Sequence, residues 1–228
     1  MNLLALDTCT ENCSAAILFN DAMHTVHEIT QRGHSERILS MLDEVLAKAG
    51  CQLKNIDCLV FGRGPGSFTG VRVGVAVAQG VAFAHALPVI PVSTLAAVAQ
   101  AAYLQHGVTH ISVAMDARMN EVYHADFIIQ DGLAVAVSEE QVLAPELVKL
   151  PDNEASWFAA GTGWAVYESQ ISPAIKERLS GIDSTLLPSA DAMLLLAKQQ
   201  YEQGLQISAE QALPVYLRNN VAKKKGEQ

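Results

Sequence analysis

The chain has 228 residues, of which 50% are hydrophobic and 17% charged, with 15 Lys+Arg against 24 Asp+Glu and a formal charge of −9. This composition suits a chain that buries a substantial core, as one large domain or two small ones, and excludes a disordered one. The acidic balance repels a phosphate backbone and excludes an autonomous nucleic-acid binder with the usual electrostatic footprint; an RNA contact needs a local patch or a basic partner.

The opening MNLLALDTC carries no basic segment and reaches a polar turn at Asp7, so it does not read as a secretory signal. Val71 to Leu87 is nearly apolar, but Arg72, the interspersed small residues and the short length favour a buried helix over a membrane span. The expected location is the cytoplasm, with no membrane association. Cys9, Cys13, Cys51 and Cys58 contain no Cys-x-x-Cys pair and are expected as reduced structural thiols.

In chain order, Leu3–Asp7 and Ser14–Phe19 read as strands around a polar turn, with a third over Met23–Thr30. A helix is predicted from about Ser35 to Ala49, with Ser35 as its N-cap and Ile38, Leu42, Val45, Leu46 and Ala49 on one face. A buried strand over Ile56–Phe61 leads into the glycine-rich run 62–70. A second helix to about Ala86, a short strand at Val89–Ile90 and a third helix from about Ser93 come next. After Gly107 the opening pattern returns, as Ile111–Asp116, a polar turn through Asn120, and Val122–Ile128. An apolar strand ending in Asp and folding into a hairpin thus occurs twice, which suggests an internal duplication. The second half continues with a strand over Ala134–Val137, a helix starting over Glu139–Leu143, a buried strand Trp157–Ala160, a turn at Gly161-Thr162-Gly163, and a helix capped by Ser189 that carries Met193 to Leu196. The tail holds Pro214–Arg218 and Lys223–Lys225, its last residues expected to be mobile. The predicted architecture is α/β, two mixed-sheet halves covered by helices, divided as 1–107 and 108–228.

The run Gly62-Arg63-Gly64-Pro65-Gly66-Ser67-Phe68-Thr69-Gly70 follows a strand and opens a helix, a context in which backbone N–H groups can bind an anion. It lacks the Lys-Ser/Thr ending of a nucleotide-hydrolase loop and the G-x-G-x-x-G spacing of a dinucleotide fold, so a structural or partner-facing use is favoured. Gly70, Gly74 and Ala78 recur every four residues and form a helix surface almost without side chains. That strip either packs on its own sheet or admits a partner's backbone; the second use is favoured, with Leu39, Met41 or Leu42 of the preceding helix completing the face. Asp7 and Asp116 close equivalent strands and could orient Mg²⁺ or water, although turn capping explains either alone. The seven histidines are dispersed, and Ser67 lacks a local His and acid, so neither a metal site nor a nucleophile is expected.

The motifs Leu4-Ala5-Leu6-Asp7-Thr8, His34-Ser35-Glu36, Gly64 to Gly74, Asp116-Ala117-Arg118 with Glu121-Val122-Tyr123, and Pro214 to Arg218 together resemble the TsaB (YeaZ) family of tRNA threonylcarbamoyladenosine biosynthesis subunits, over nearly the whole chain. The resemblance implies a duplicated actin/Hsp70-like fold. It also implies a non-catalytic organising or regulatory subunit that supports TsaD in transferring threonylcarbamoyl from its adenylate to N6 of the adenosine following the tRNA anticodon. The implied partners are TsaD and the ATPase TsaE, with a homodimer outside the complex and tRNA contacted indirectly or in the assembly. No intrinsic cofactor is implied, ATP belonging to the partner system. His34, Ser35, Leu39, Leu42, Gly70, Gly74 and Ala78 become candidate partner contacts. With Ile38 four positions after His34, the chain lacks the paired-His metal motif of the catalytic sister. The alternatives are an independent nucleotide-dependent enzyme built on Asp7, Asp116 and Gly161-Thr162-Gly163, and a purely structural oligomer.

Overall fold

The computed structural model describes residues 1–30 and 32–218, so Lys223–Lys225 lie outside the described residues. Two sheets of one topology stand face to face. The first comprises β1 (Leu3–Asp7), β2 (Asn12–Phe19), β3 (Ala22–Ile29), β4 (Cys58–Gly62) and β5 (Val89–Val92), in the order β3-β2-β1-β4-β5. The second comprises β6 (His110–Asp116), β7 (Val122–Gln130), β8 (Leu133–Ala136), β9 (Gln141–Leu143), β10 (Trp157–Ala160) and β11 (Leu179–Asp183), in the order β11-β10-β6-β7-β8, with β9 on β7. In each, an antiparallel meander supplies three strands and two more add in parallel on the other side. β1 therefore corresponds to β6, and Asp7 to Asp116. This is the duplicated actin/Hsp70-like fold.

Helices α1 (His34–Ala49) and α2 (Phe68–His85) cover the outer face of the first sheet, where Leu4, Leu6, Ile17, Leu59 and Phe61 meet Ile38, Met41, Val45, Val71 and Val75. Helices α3 (Thr94–His106) and α6 (Ala190–Glu202) lie between the sheets; Leu3, Ala5 and Val60 from one sheet and Val113, Ala125 and Phe127 from the other share a core with Leu95, Val98, Met193 and Leu194. Burying each such aliphatic side chain contributes about 1.5–3 kcal/mol. The short helices α4 (Gly163–Val166) and α5 (Pro173–Lys176) accompany the outer face of the second sheet, where Trp164, Tyr167 and Ile171 pack on Ala114, Val122 and Ala159. Because α6 packs on β1, β2 and β4, the sequence halves 1–107 and 108–228 are not independent packing units.

Two local expectations are corrected. The N-cap position of α1 is Gly33, in the left-handed region at φ 91°, and Ser35 lies inside the helix without capping it. Gln141–Leu143 is a strand paired with Val122–His124, not a helix start: the β7 edge offers this three-residue stretch ladder bonds that a lone helical turn cannot match. Among the described residues no helix is long and apolar enough to cross a membrane, and Cys9, Cys13, Cys51 and Cys58 are free.

Candidate partner interface

The first turn and the glycine run are built against each other. Thr8 Oγ1 donates to the Gly70 carbonyl at 2.7 Å, and Ser67 N donates to the Cys9 carbonyl at 2.7 Å. A Cβ on Gly70 would collide with the Thr8 carbonyl, and one on Gly74 would lie 2.8 Å from Thr8 Oγ1. Ser67 caps α2 through its hydroxyl, which accepts from Gly70 N. The strip Gly70, Gly74, Ala78 is thus buried against its own chain and presents nothing to a partner. It has this position because only bare backbone lets α2 descend onto the β1 turn, and the same periodicity would have served either side.

α1 divides similarly. Met41 and Leu42 are core residues, which removes Leu42 from the candidate contacts. His34 is half-buried, its Nε2 2.8 Å from the Thr10 carbonyl, and ties the start of α1 to the same turn. Ser35 is exposed, and Leu39 is 50% exposed. The surface of α2 that does look outward carries Val73, Ala76, Val77, Gly80 and Ala84, half-buried or exposed, and a Cβ on Gly80 would meet nothing within 4 Å. α1 and α2 lie side by side. Between their first turns Gly33, His34, Ser35, Ser67, Thr69 and Val73 line a hollow of about 330 Å³. The outward face of α2 is therefore largely apolar, small side chains flanked by the exposed Phe83 and Arg72. Glycine spacing pointed to the opposite side of α2, although the pattern 73-76-77-80-84 is itself helical and marks the face that looks outward.

The strand-end carboxylates do not share an open cleft. Asp7 is fully buried: Cys9 N donates to its Oδ1 at 3.3 Å, while Oδ2 has no hydrogen-bond partner among the described residues. Gly62 lies so close beneath it that a Cβ there would strike Oδ1, and the Met193 methyl of α6 closes the same space. Burial pushes the Asp7 carboxyl up to about 7, with the Cys9 hydrogen bonds opposing. Burial, and then the Asp7 charge, raises the Cys9 thiol well above its ordinary value. Asp116 is instead fully engaged. Arg118 donates to it from its backbone at 2.8 Å and from Nη1 at 2.8 Å, and Tyr167 Oη donates at 2.9 Å. Gly161 and Gly163 press against the Ala114 carbonyl, where Cβ atoms would lie 2.7 and 2.9 Å away. These two turns serve packing, so the reading of Asp7, Asp116 and Gly161-Thr162-Gly163 as one nucleotide site is not supported by their arrangement.

Sequence reasoning passed over a buried trio in the second sheet. Ser112 Oγ lies 3.0 Å and Asp126 Oδ1 3.4 Å from the same atom, His124 Nε2. A relay needs the acid on one imidazole nitrogen and the hydroxyl on the other, and all three residues are buried. The trio is a polar element of the core, legible only as polar residues on alternate positions of two apolar strands. Among the described residues no group of three or more His, Cys, Asp or Glu side chains could hold a metal ion.

A two-lobed α/β chain with a shared helical layer defines a class, and comparison with known proteins names it. The family model described as "TsaD: tRNA N6-adenosine threonylcarbamoyltransferase" matches residues 21–226. The tRNA threonylcarbamoyladenosine biosynthesis protein TsaB of Haemophilus influenzae is 46% identical over 99% of this chain and 97% of its own length. That of Escherichia coli is 43% identical over 99% and 98%. The solved structure of YeaZ from Pseudomonas aeruginosa superposes with a TM-score of 0.90 at 44% identity, covering 95% of this chain and 99% of its own. The chain belongs to the TsaB (YeaZ) family.

Proposed function

We propose that the chain is the non-catalytic organising subunit for TsaD-dependent transfer of threonylcarbamoyl to tRNA, and that it docks TsaD through the outward face of α1 and α2. The observation that carries this reading is the pairing of a partly exposed apolar stripe, Leu39 with Val73, Ala76, Val77 and Gly80, with an Asp7 carboxyl sealed from any reactant and an Asp116 carboxylate engaged by Arg118 and Tyr167. A regulator needs only to favour one conformation of its partner through such a face, whereas a transferase must orient two reactants. Outside the complex the same stripe pairs with a second copy, so homodimer and TsaD complex compete. TsaE brings the ATP chemistry, this chain uses no cofactor of its own, and the assembly works in the cytoplasm.

Gly80→Leu is the decisive variant. The new side chain points into open space, improves helix propensity by about 1 kcal/mol, and obstructs the outward face of α2. TsaD titrated into labelled wild-type homodimer is expected to dissociate it, while the Gly80→Leu chain, folded and at least as heat-stable, neither dimerises nor supports modified tRNA formation with TsaD and TsaE. Product formed by the homogeneous chain alone, or full association by Gly80→Leu, defeats the proposal.

A further inference from the structure

The chain returns to the inner face of the first sheet at Pro188 to Ala190, where α6 begins, and two residues of β2 hold it there. Asn12 Nδ2 donates to the Pro188 carbonyl at 2.8 Å, and Ser14 Oγ accepts from Ala190 N at 3.0 Å. Ser189 makes no side-chain cap, so the helix start is seated from β2. Asp7 belongs to the same patch: it lies opposite Ser14 in the β1–β2 pair, and Asn12 is two residues from Ser14 on the same face. All three side chains are buried. Because a carbonyl only accepts, Pro188 fixes the Asn12 amide with its nitrogen toward α6 and its oxygen turned away. That oxygen, Asn12 Oδ1, has no hydrogen-bond partner among the described residues, and neither has Asp7 Oδ2.

Two buried acceptors on one patch with no donor for either lack a single hydrogen. We propose that a proton resident on Asp7 Oδ2 is shared with Asn12 Oδ1 and latches the start of α6, and that its loss turns the Asn12 amide and releases Pro188. With the proton in place, the Asp7 O–H donates to Asn12 Oδ1 while Nδ2 keeps the Pro188 carbonyl. Once the proton has left to solvent, a carboxylate faces an amide oxygen. The amide then rotates to offer Nδ2 to Asp7, which sets its oxygen against the Pro188 carbonyl, two acceptors, and that contact opens. Burial, which pushes the Asp7 carboxyl up to about 7, keeps the proton in place in mild acid. The neighbouring titratable groups do not pre-empt it. On the turn and β2, burial raises the Cys9 and Cys13 thiols, and on β4 it pushes Cys58 up to about 12. The glycine run brings Arg63, already held by Glu140, and α2 brings Arg72 and His85, both exposed. On α6, Asp191 is half-buried in the first turn, and Lys198 and Glu202 are exposed toward the far end. Because α6 packs on β1, β2 and β4 and shares its core with the second sheet, the latch sets how firmly the two sheets are joined, tight in mild acid and looser above neutrality.

NMR of the full-length chain tests this, following the Asp7 carboxyl carbon, the Asn12 side-chain amide and the Ala190 backbone amide from about pH 5 to about pH 9. In wild type the three signals are expected to move together with a midpoint of about 7. Asp7→Asn supplies a permanent donor to Asn12 Oδ1 and should fix the Asn12 and Ala190 signals at their acid positions. In Asn12→Ala the Asp7 carbon still titrates but the Ala190 signal no longer follows it. At about pH 5.5 the Ala190 amide of that variant should exchange with solvent about tenfold faster than in wild type, the worth of one hydrogen bond. An Asp7 carbon that titrates in the ordinary carboxylate range, as it would if a buried water satisfied both oxygens, overturns the proposal. So does an Asn12 amide that stays fixed while Asp7 titrates. Both outcomes are read on wild type, so neither depends on the variants folding.

Discussion

The two halves open alike, a strand ending in Asp and a tight turn, yet they treat that carboxylate in opposite ways. Asp116 is held by Arg118 and Tyr167 at the rim, whereas Asp7 is sealed under Gly62 and Met193 with one oxygen unpaired among the described residues. The difference comes from the elements that pack over each turn. At β1 the glycine run of α2 and the returning α6 both descend on the turn; at β6 the hairpin is left open and its own arginine reaches back. A duplicated scaffold therefore engages one acid with an arginine and a tyrosine and, by burial, forces the other toward its neutral form.

Substitutions at the two openings should differ accordingly. The largest effect is expected at the closed one: Gly70→Val or Gly74→Leu drives a side chain into Thr8 and should cost more than about 4 kcal/mol or prevent folding, an upper extreme for overpacking, read as the urea midpoint. Next comes Asp7→Asn. Its folded pKa, about 7, lies above the unfolded value of 3.8, so the native state holds the proton longer. Stability is complete below the unfolded value, falls as pH rises from about 4 to 7, and is flat beyond; the loss approaches about 4 kcal/mol. Asp7→Asn should remove that slope, and a wild-type stability that rises over the same window would break the contrast with Asp116. At the open turn, Tyr167→Phe deletes one hydrogen bond to a carboxylate and should lower stability by about 1–2 kcal/mol. Smallest is Arg118→Ala, within about 0.5 kcal/mol, because the side chain is 86% exposed; a larger loss would mean that the open turn depends on its ion pair.

Most strands and the long helices were legible in the sequence because apolar runs bounded by Gly and Asp announce them, as at Leu3–Asp7, Trp157–Ala160 and the repeat at Ile111–Asp116. β11 escaped because Leu179-Ser-Gly-Ile-Asp183 is half polar and gains its place only by pairing with β10. The proposed docking face was half legible. Leu39 stood out on a helix whose other apolar residues form one stripe, but the direction of the Gly70, Gly74, Ala78 strip depends on Thr8, sixty residues earlier in the chain, and no local pattern encodes that approach. Asp7's burial was likewise hidden, since it depends on α6, whose Ala190 N binds Ser14 Oγ across the molecule at 3.0 Å.

The position of α6 also has a consequence in time. The first sheet has all its strands once Val92 is made, but the layer that covers its inner face ends at Glu202, 110 residues later. At ordinary elongation rates the ribosome needs roughly 5–20 s for that stretch. Throughout it, Leu3, Ala5 and Val60 lack the α6 residues Met193 and Leu194 that share their core, and the nascent chain is a ready client for chaperones. A message truncated before Ala190 should therefore yield not a smaller folded lobe but an aggregating one.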